Sequence, residues 1–381
     1  MPKIYLMIPG PTPVPNDVLR EMSREMINHR GPEFAKLISE TTDLLKKVFK
    51  TNNDCFILTA SGTGAMEASV VNFFSPEDKV VVGVCGVFGE RYAKICSAYG
   101  LNVVRIKTPL GKGIEPYELE KVLEENPDTK GVFLTHNETS TGVTLDLREL
   151  APIVKRRGIL LLVDAISSLG AIDLPTDELN IDVVVSASQK ALETPPGISM
   201  ISVSPLAWEY YEKAKLPRFY WDLKMAKKSL EKGATPFTPA ISQIFALRRA
   251  LENILSKGLE NNFKKHIILG NAVRNGIKSI EFFKLLAEEK YASNTVTPVI
   301  TPSEINPDEL RRKLRQEFGV VLAGGQGELE GKIFRIGHVG HIEPSDILVT
   351  LSSIEIMLEK MGYNGVRGKA VGSAEKVFLE S

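Results

Sequence analysis

Between residues 55 and 205, short β-branched apolar runs alternate with segments whose apolar positions recur at helical spacing. Cys55–Leu58, Lys79–Val84, Leu101–Ile106, Gly131–Thr135, Ile159–Val163, Ile181–Val185 and Ile198–Val203 read as strands. Met66–Phe74, Phe88–Tyr99 and Pro116–Glu125 read as helices between them, the second stopped by Gly100 at its C-terminal cap. Such alternation is that of βαβ units and predicts a largely parallel sheet. After residue 205 the pattern turns helical, with Ile241–Leu259 and Lys265–Ile280 as long amphipathic helices. From Thr295 to Leu358, the short strands Thr297–Ile300 and Lys332–Ile336 flank the helices Asn306–Phe318 and Ser345–Leu358, predicting a smaller α+β unit. The expected division is an N-terminal arm over 1–15, a large domain over 16–257 and a small domain over 258–381.

Composition narrows the function classes. A chain of 381 residues that is 43% hydrophobic and 25% charged can bury a sizeable core. Lys+Arg and Asp+Glu both number 47, so bulk charge favours neither nucleic acid nor an anionic membrane as a partner. Cys55, Cys85 and Cys96 are odd in number and lack C-x-x-C spacing, which fits a reducing cytoplasm rather than a disulfide framework or a zinc site. The first fifteen residues, with one lysine and five prolines, lack the form of a signal peptide, and no apolar run approaches a membrane span. The expectation is a soluble cytoplasmic protein. Five histidines without metal-ligand spacing argue against a metalloenzyme, and no G-x-S-x-G elbow is present.

Parallel sheets place their sites at the carboxyl ends of strands, and several chemistry-bearing residues fall just past such ends. Lys190, in Ser186-Ala187-Ser188-Gln189-Lys190, follows Asp164 by twenty-six positions. A partly desolvated lysine is nucleophilic enough to form a Schiff base with an aldehyde cofactor. An aspartate beside a pyridine nitrogen keeps it protonated, so the pair reads as a site for pyridoxal phosphate (PLP). Ser61-Gly62-Thr63-Gly64-Ala65 lies between a strand and a helix, where free N–H groups suit a phosphate. A dinucleotide fingerprint is the rival there, but Glu67 stands where its third glycine belongs. Phe88 begins a helix after a strand and offers a stacking face, and hydroxyls in His136-Asn137-Glu138-Thr139-Ser140-Thr141-Gly142 can bond a phenolic oxygen. Arg335 interrupts an apolar strand-like segment, and its guanidinium matches a carboxylate.

With these runs, together with Pro9-Gly10-Pro11-Thr12-Pro13-Val14-Pro15, Gly86–Arg91, Val163–Gly170 and Pro195-Pro196-Gly197, the chain resembles class V aminotransferases of the alanine–glyoxylate and serine–pyruvate type. The resemblance runs over nearly the whole chain and implies an α/β fold: a fold type I PLP-dependent transferase with a large, mostly parallel sheet domain and a smaller C-terminal α+β domain. It implies that Lys190 carries the Schiff base and Asp164 pairs with the pyridinium. Phe88 would stack on the ring, Thr139 bind its oxygen, and Thr63, Gly64, Ala65 and Gln189 bind the cofactor phosphate. Arg335, with Gly10, would contact the substrate. The family is homodimeric with interface sites, so Thr235 and Thr238 would reach the other subunit's phosphate. Phe88 stands where relatives commonly carry tryptophan, Ala65 where some carry histidine and Thr235 where some carry tyrosine, which bears on substrate preference and cofactor affinity. The implied reaction moves the amino group of serine or alanine, possibly aspartate, to pyruvate or glyoxylate by ping-pong kinetics. A PLP lyase is the alternative. Cysteine desulfuration is disfavoured because all three cysteines precede residue 97.

Overall fold

The computed structural model describes residues 3–381. Its strands, in chain order, are β1 (Tyr5–Met7), β2 (Asp54–Leu58), β3 (Lys79–Val84), β4 (Asn102–Lys107), β5 (Gly131–Thr135), β6 (Asn137–Glu138) and β7 (Val143–Thr144). There follow β8 (Leu160–Asp164), β9 (Val183–Ala187), β10 (Ser199–Val203), β11 (Lys284–Leu285), β12 (Val296–Ile300), β13 (Val320–Gly324) and β14 (Ile333–Gly337). Seven of them form one sheet in the order β2-β10-β9-β8-β5-β3-β4. β9, β8, β5, β3 and β4 run parallel, and β10 runs antiparallel to both its neighbours. A five-stranded sheet, β1-β13-β14-β12-β11, gathers the C-terminal strands and takes in the N-terminal Tyr5–Met7 beside Val320–Leu322.

Alternation of side chains explains why the large sheet forms. Successive residues point to opposite faces, and both faces of its central strands are apolar. Val81, Val132, Leu134, Leu161, Val163 and Val184 enter one core with Leu119, Leu150, Leu247 and Leu251 from helices. Val80, Val82, Phe133, Leu160, Leu162 and Val185 enter the other with Met66, Val70 and Tyr92. A third core, built on Val299, Leu322, Phe334, Leu351 and Ile354, fills the smaller sheet and its helices.

Three local differences from the expected pattern bear on the site. Strands expected at 159–163 and 181–185 begin one and two residues later, so Asp164 sits within the ladder, opposite Thr135 and Val185. The helix expected from Met66 begins at Gly62, which packs against Ile166, where a Cβ would lie 2.5 Å from Cδ1. Helix Leu259–Lys278 follows Ile241–Lys257 directly, the two parted by Gly258 at φ +88°. Among the described residues no helix is long and apolar enough to cross a membrane.

Phe133 lies fully buried with ring centroids 5.4 Å from Phe74 and 4.7 Å from Tyr92. Phe133→Ala leaves a cavity between those rings and is expected to cost about 3–5 kcal/mol. A lowered urea midpoint relative to wild type checks it.

Candidate active site

The carboxyl ends of β8 and β9 bring the acid and the amine together. Asp164 closes β8, 3% exposed, and its Oδ1 accepts the Ile166 N–H at 2.9 Å. Loss of water pushes its carboxyl up to about 6, opposed by that N–H and by the Lys190 charge. Lys190 follows β9 in a loop held from several directions. Thr12 N–H donates to the Gln189 carbonyl at 3.1 Å, Thr12 Oγ1 to the Lys190 carbonyl at 3.1 Å, and Ser188 Oγ to the Pro195 carbonyl at 2.7 Å. Burial pulls the Lys190 amine down to about 8; Asp164 opposes this and the Arg335 cation adds to it. Nζ donates to Thr139 Oγ1 at 3.2 Å and lies 5.5 Å from the centroid of Phe88. Gly10, at φ +140°, lies along the lysine's stem, where a Cβ would stand 3.1 Å from both Cγ and Cε.

Two helix starts face this pair. Phe88 is the second residue of helix Val87–Ala98, with the Arg91 guanidinium 4.7 Å over its ring. Arg91 Nη1 also donates to Thr63 Oγ1 at 3.3 Å, tying the first turns of the two helices. Thr63, Gly64 and Ala65 open helix Gly62–Val71, whose N-terminus carries no side-chain cap. Its first N–H groups therefore suit an anion. Gly64 is required by packing, since a Cβ would stand 2.7 Å from the Trp221 ring, and Ala65 is fully buried.

Arg335 reaches the same place from the smaller sheet. Its Nε donates to the Gly324 carbonyl at 2.8 Å and its Nη1 to the Thr139 carbonyl at 3.0 Å. Those bonds orient the guanidinium without neutralising it. Burial pulls Arg335 down to about 10, with the charge of Glu138 opposing. A cation kept from water, with carbonyls and no carboxylate as its hydrogen-bond acceptors, favours an anionic ligand such as a carboxylate.

The sequence profile of the family described as Aminotransferase class-V matches residues 4–330. The chain belongs to that family. This aminotransferase is 44% identical to the soluble hydrogenase, small subunit, of Synechococcus sp. (strain PCC 6716), over 99% of this chain and 98% of that one. It is 34% identical to the serine–glyoxylate aminotransferase of Arabidopsis thaliana, over 97% of this chain and 94% of that one. Among solved structures it matches the ureidoglycine–glyoxylate aminotransferase from Bacillus subtilis at a TM-score of 0.93 and 28% identity, over 100% of this chain and 99% of that one. Its fold is that of fold type I PLP-dependent transferases.

Within one chain the aminotransferase gathers Lys190, Asp164, Phe88, Thr139, Gly10 and Arg335. Thr235 and Thr238 stand elsewhere, lining a groove with Leu58, Thr59, Tyr220 and Phe237, and Thr235 Oγ1 donates to the Phe237 carbonyl at 2.8 Å. Gln189 takes part through its backbone carbonyl, which anchors Thr12. Sequence reasoning passed over Glu138 and Arg91 individually. Glu138 lay inside a run noted for its hydroxyls, and Arg91 falls one turn after Phe88, a spacing that puts both on one helix face.

Proposed function

We propose that the chain is a PLP-dependent aminotransferase acting on small L-amino acids, with serine or alanine as donor, aspartate as a further candidate, and glyoxylate or pyruvate as acceptor. The observation that carries this reading is the buried pair of Lys190 and Asp164 at the carboxyl ends of neighbouring parallel strands, with an aromatic face and an unneutralised arginine beside it. The residues fit the cofactor. The uncapped helix start at Gly62–Ala65 suits its phosphate, Phe88 its ring, Thr139 its ring oxygen and Asp164 its ring nitrogen. When bound, PLP supplies an aldehyde carbon for amines and a ring that takes up the electron pair left at the substrate's Cα.

Each side chain then has a defined task. Arg335 holds the donor's carboxylate and so fixes which bond at Cα faces Lys190. Lys190, with its amine already drawn toward neutrality by burial, takes the proton from the donor's Cα in one half-reaction and delivers one to the acceptor's Cα in the other. Asp164, as a carboxylate, holds the ring nitrogen's proton; a cation beside it favours the charged form that burial alone opposes. The names of the relatives, which join serine or ureidoglycine to glyoxylate, support the donor and acceptor classes. A homodimer belongs to this reading, with Thr235 and Thr238 completing the phosphate site of the partner subunit. The hydrogenase name of the Synechococcus relative finds no counterpart in this site. Among the described residues no three or more His, Cys, Asp or Glu are grouped to hold a metal. Burial also pushes the Cys55 and Cys85 thiols up to about 12, away from the thiolate form.

The visible absorbance of the purified protein tests the reading. Its cofactor band should fade on adding L-serine, L-alanine or L-aspartate without acceptor and return on adding glyoxylate or pyruvate. A band that persists during turnover identifies a PLP lyase. Lys190→Ala should abolish transamination and covalent cofactor attachment; wild-type turnover in that variant contradicts the assignment. Arg335→Ala is expected to lower kcat/KM for every donor by about 100-fold, roughly the loss of one charge-assisted contact of about 3 kcal/mol. An unchanged value shows that another group holds the carboxylate. The rate at which apoprotein captures PLP should rise with pH through about 8, where Lys190 loses its proton. An ordinary lysine gives a rise near ~10.4 instead.

A further inference from the structure

Glu138 is 0% exposed and its carboxylate takes hydrogen bonds from backbone and hydroxyl donors. Oε2 accepts the Phe88 N–H at 2.9 Å and the Gly89 N–H at 3.0 Å. Oε1 accepts Ser140 N–H at 3.1 Å and Ser140 Oγ at 2.5 Å. Ser140 Oγ in turn accepts the Val87 N–H at 3.0 Å. Helix Val87–Ala98 has glycine at its N-cap and no cap of its own, so Glu138 and Ser140 cap it from the turn after β5. Gly86 permits that approach: a Cβ there would stand 2.3 Å from Ser140 Oγ and 2.7 Å from Glu138 Cδ.

The first donor to this carboxylate is the amide of Phe88 itself, and the next residue after Glu138 is Thr139, which receives Lys190 Nζ. Resting on the PLP reading above, we infer that Glu138 is a positioning residue: its carboxylate fixes the face of Phe88 and the hydroxyl of Thr139 relative to Lys190. Charge and valence both call for a carboxylate. Donors converge on both oxygens, and a glutamine would turn an N–H₂ group toward one set of them. The negative charge also meets the positive end of the helix dipole, at a place where water offers no alternative. It further favours the protonated form of Lys190 and the charge of Arg335, so its removal is felt at the reacting amine as well as at the ring.

The test uses the whole protein reconstituted with PLP, in four forms: wild type, E138Q, F88A and the double variant. PLP dissociation constants from equilibrium dialysis are read with the visible circular dichroism of the bound cofactor, which reports how the ring is held, and with apoprotein melting. E138Q is expected to weaken PLP about tenfold and change the dichroic band, while adding little in the F88A background, as coupled positions do. Equal effects in both backgrounds overturn the inference, as does a fall in melting temperature with unchanged PLP affinity and dichroism. If E138Q does not fold, Ser140→Ala takes its place in the same cycle. It removes a donor from the other oxygen, and a smaller shift of the same band that vanishes with F88A supports the inference, whereas no shift overturns it. Wild-type protein that binds no PLP overturns the proposed function and this inference with it. Wild-type protein that binds PLP, matched by E138Q, overturns the inference alone.

Discussion

Withdrawing Lys190 and Asp164 from water is the constraint around which the site is organised. Burial drives each toward its neutral form, the opposite charge of each resists that drift in the other, and the balance leaves the acid up at about 6 and the amine down at about 8. Neighbouring parallel strands make the arrangement possible. β8 and β9 end side by side, so an acid on the last residue of one and an amine in the loop after the other share a dry pocket without either element bending to reach it. The apolar faces of the sheet supply the dryness, and the loop bonds to Thr12, Ser188 and Pro195 hold the amine where the backbone places it.

Most of the large sheet was legible because fully buried parallel strands leave nearly continuous β-branched runs, such as Val80-Val81-Val82 and Val183-Val184-Val185. The reversed direction of β10 was not, since a strand buried on both faces carries the same apolar signal read either way. Tyr5–Met7 escaped as a strand because so short an apolar stretch just before Pro9-Gly10 shows no period; what makes it a strand is the edge of β13, contributed by residues more than three hundred positions later. Helix Pro32–Phe49 was a different kind of miss. Its signal is present, with proline in the first turn and Phe34, Leu37, Ile38, Thr41 and Leu45 on one buried face, but it lies before the alternating region that drew attention.

At the site, sequence reasoning found residues whose type is itself chemical: a lysine past a strand, an acid at a strand end, an arginine among apolar residues. Glu138 was invisible as an individual for a physical reason. In a polar turn a glutamate reads as solvated, and only the fold reveals that helix Val87–Ala98 delivers its amides to it from fifty residues upstream. Gly64 was read for its approach to a phosphate and Gly86 not individually, and only the fold shows that they also clear space for Trp221 and for Glu138 and Ser140.

Arg335 ties the smaller sheet to the polar segment that follows β5. It belongs to β14, yet it spends Nη1 on the carbonyl of Thr139, just past β6, and Nε on the Gly324 carbonyl of its own sheet. A guanidinium is planar, so these two bonds fix the plane in which its remaining N–H groups lie. Thr139 stands at the junction: its carbonyl orients the arginine and its hydroxyl receives Lys190 Nζ. Arg335 and Lys190 thus share a hydrogen-bond partner, and that residue follows directly on Glu138. Through Glu138 the helix carrying Phe88 is bonded to the segment that contacts both groups. On the proposed reading every amino acid presents the same α-carboxylate to Arg335, so discrimination among donors comes from what surrounds the side chain and not from this contact.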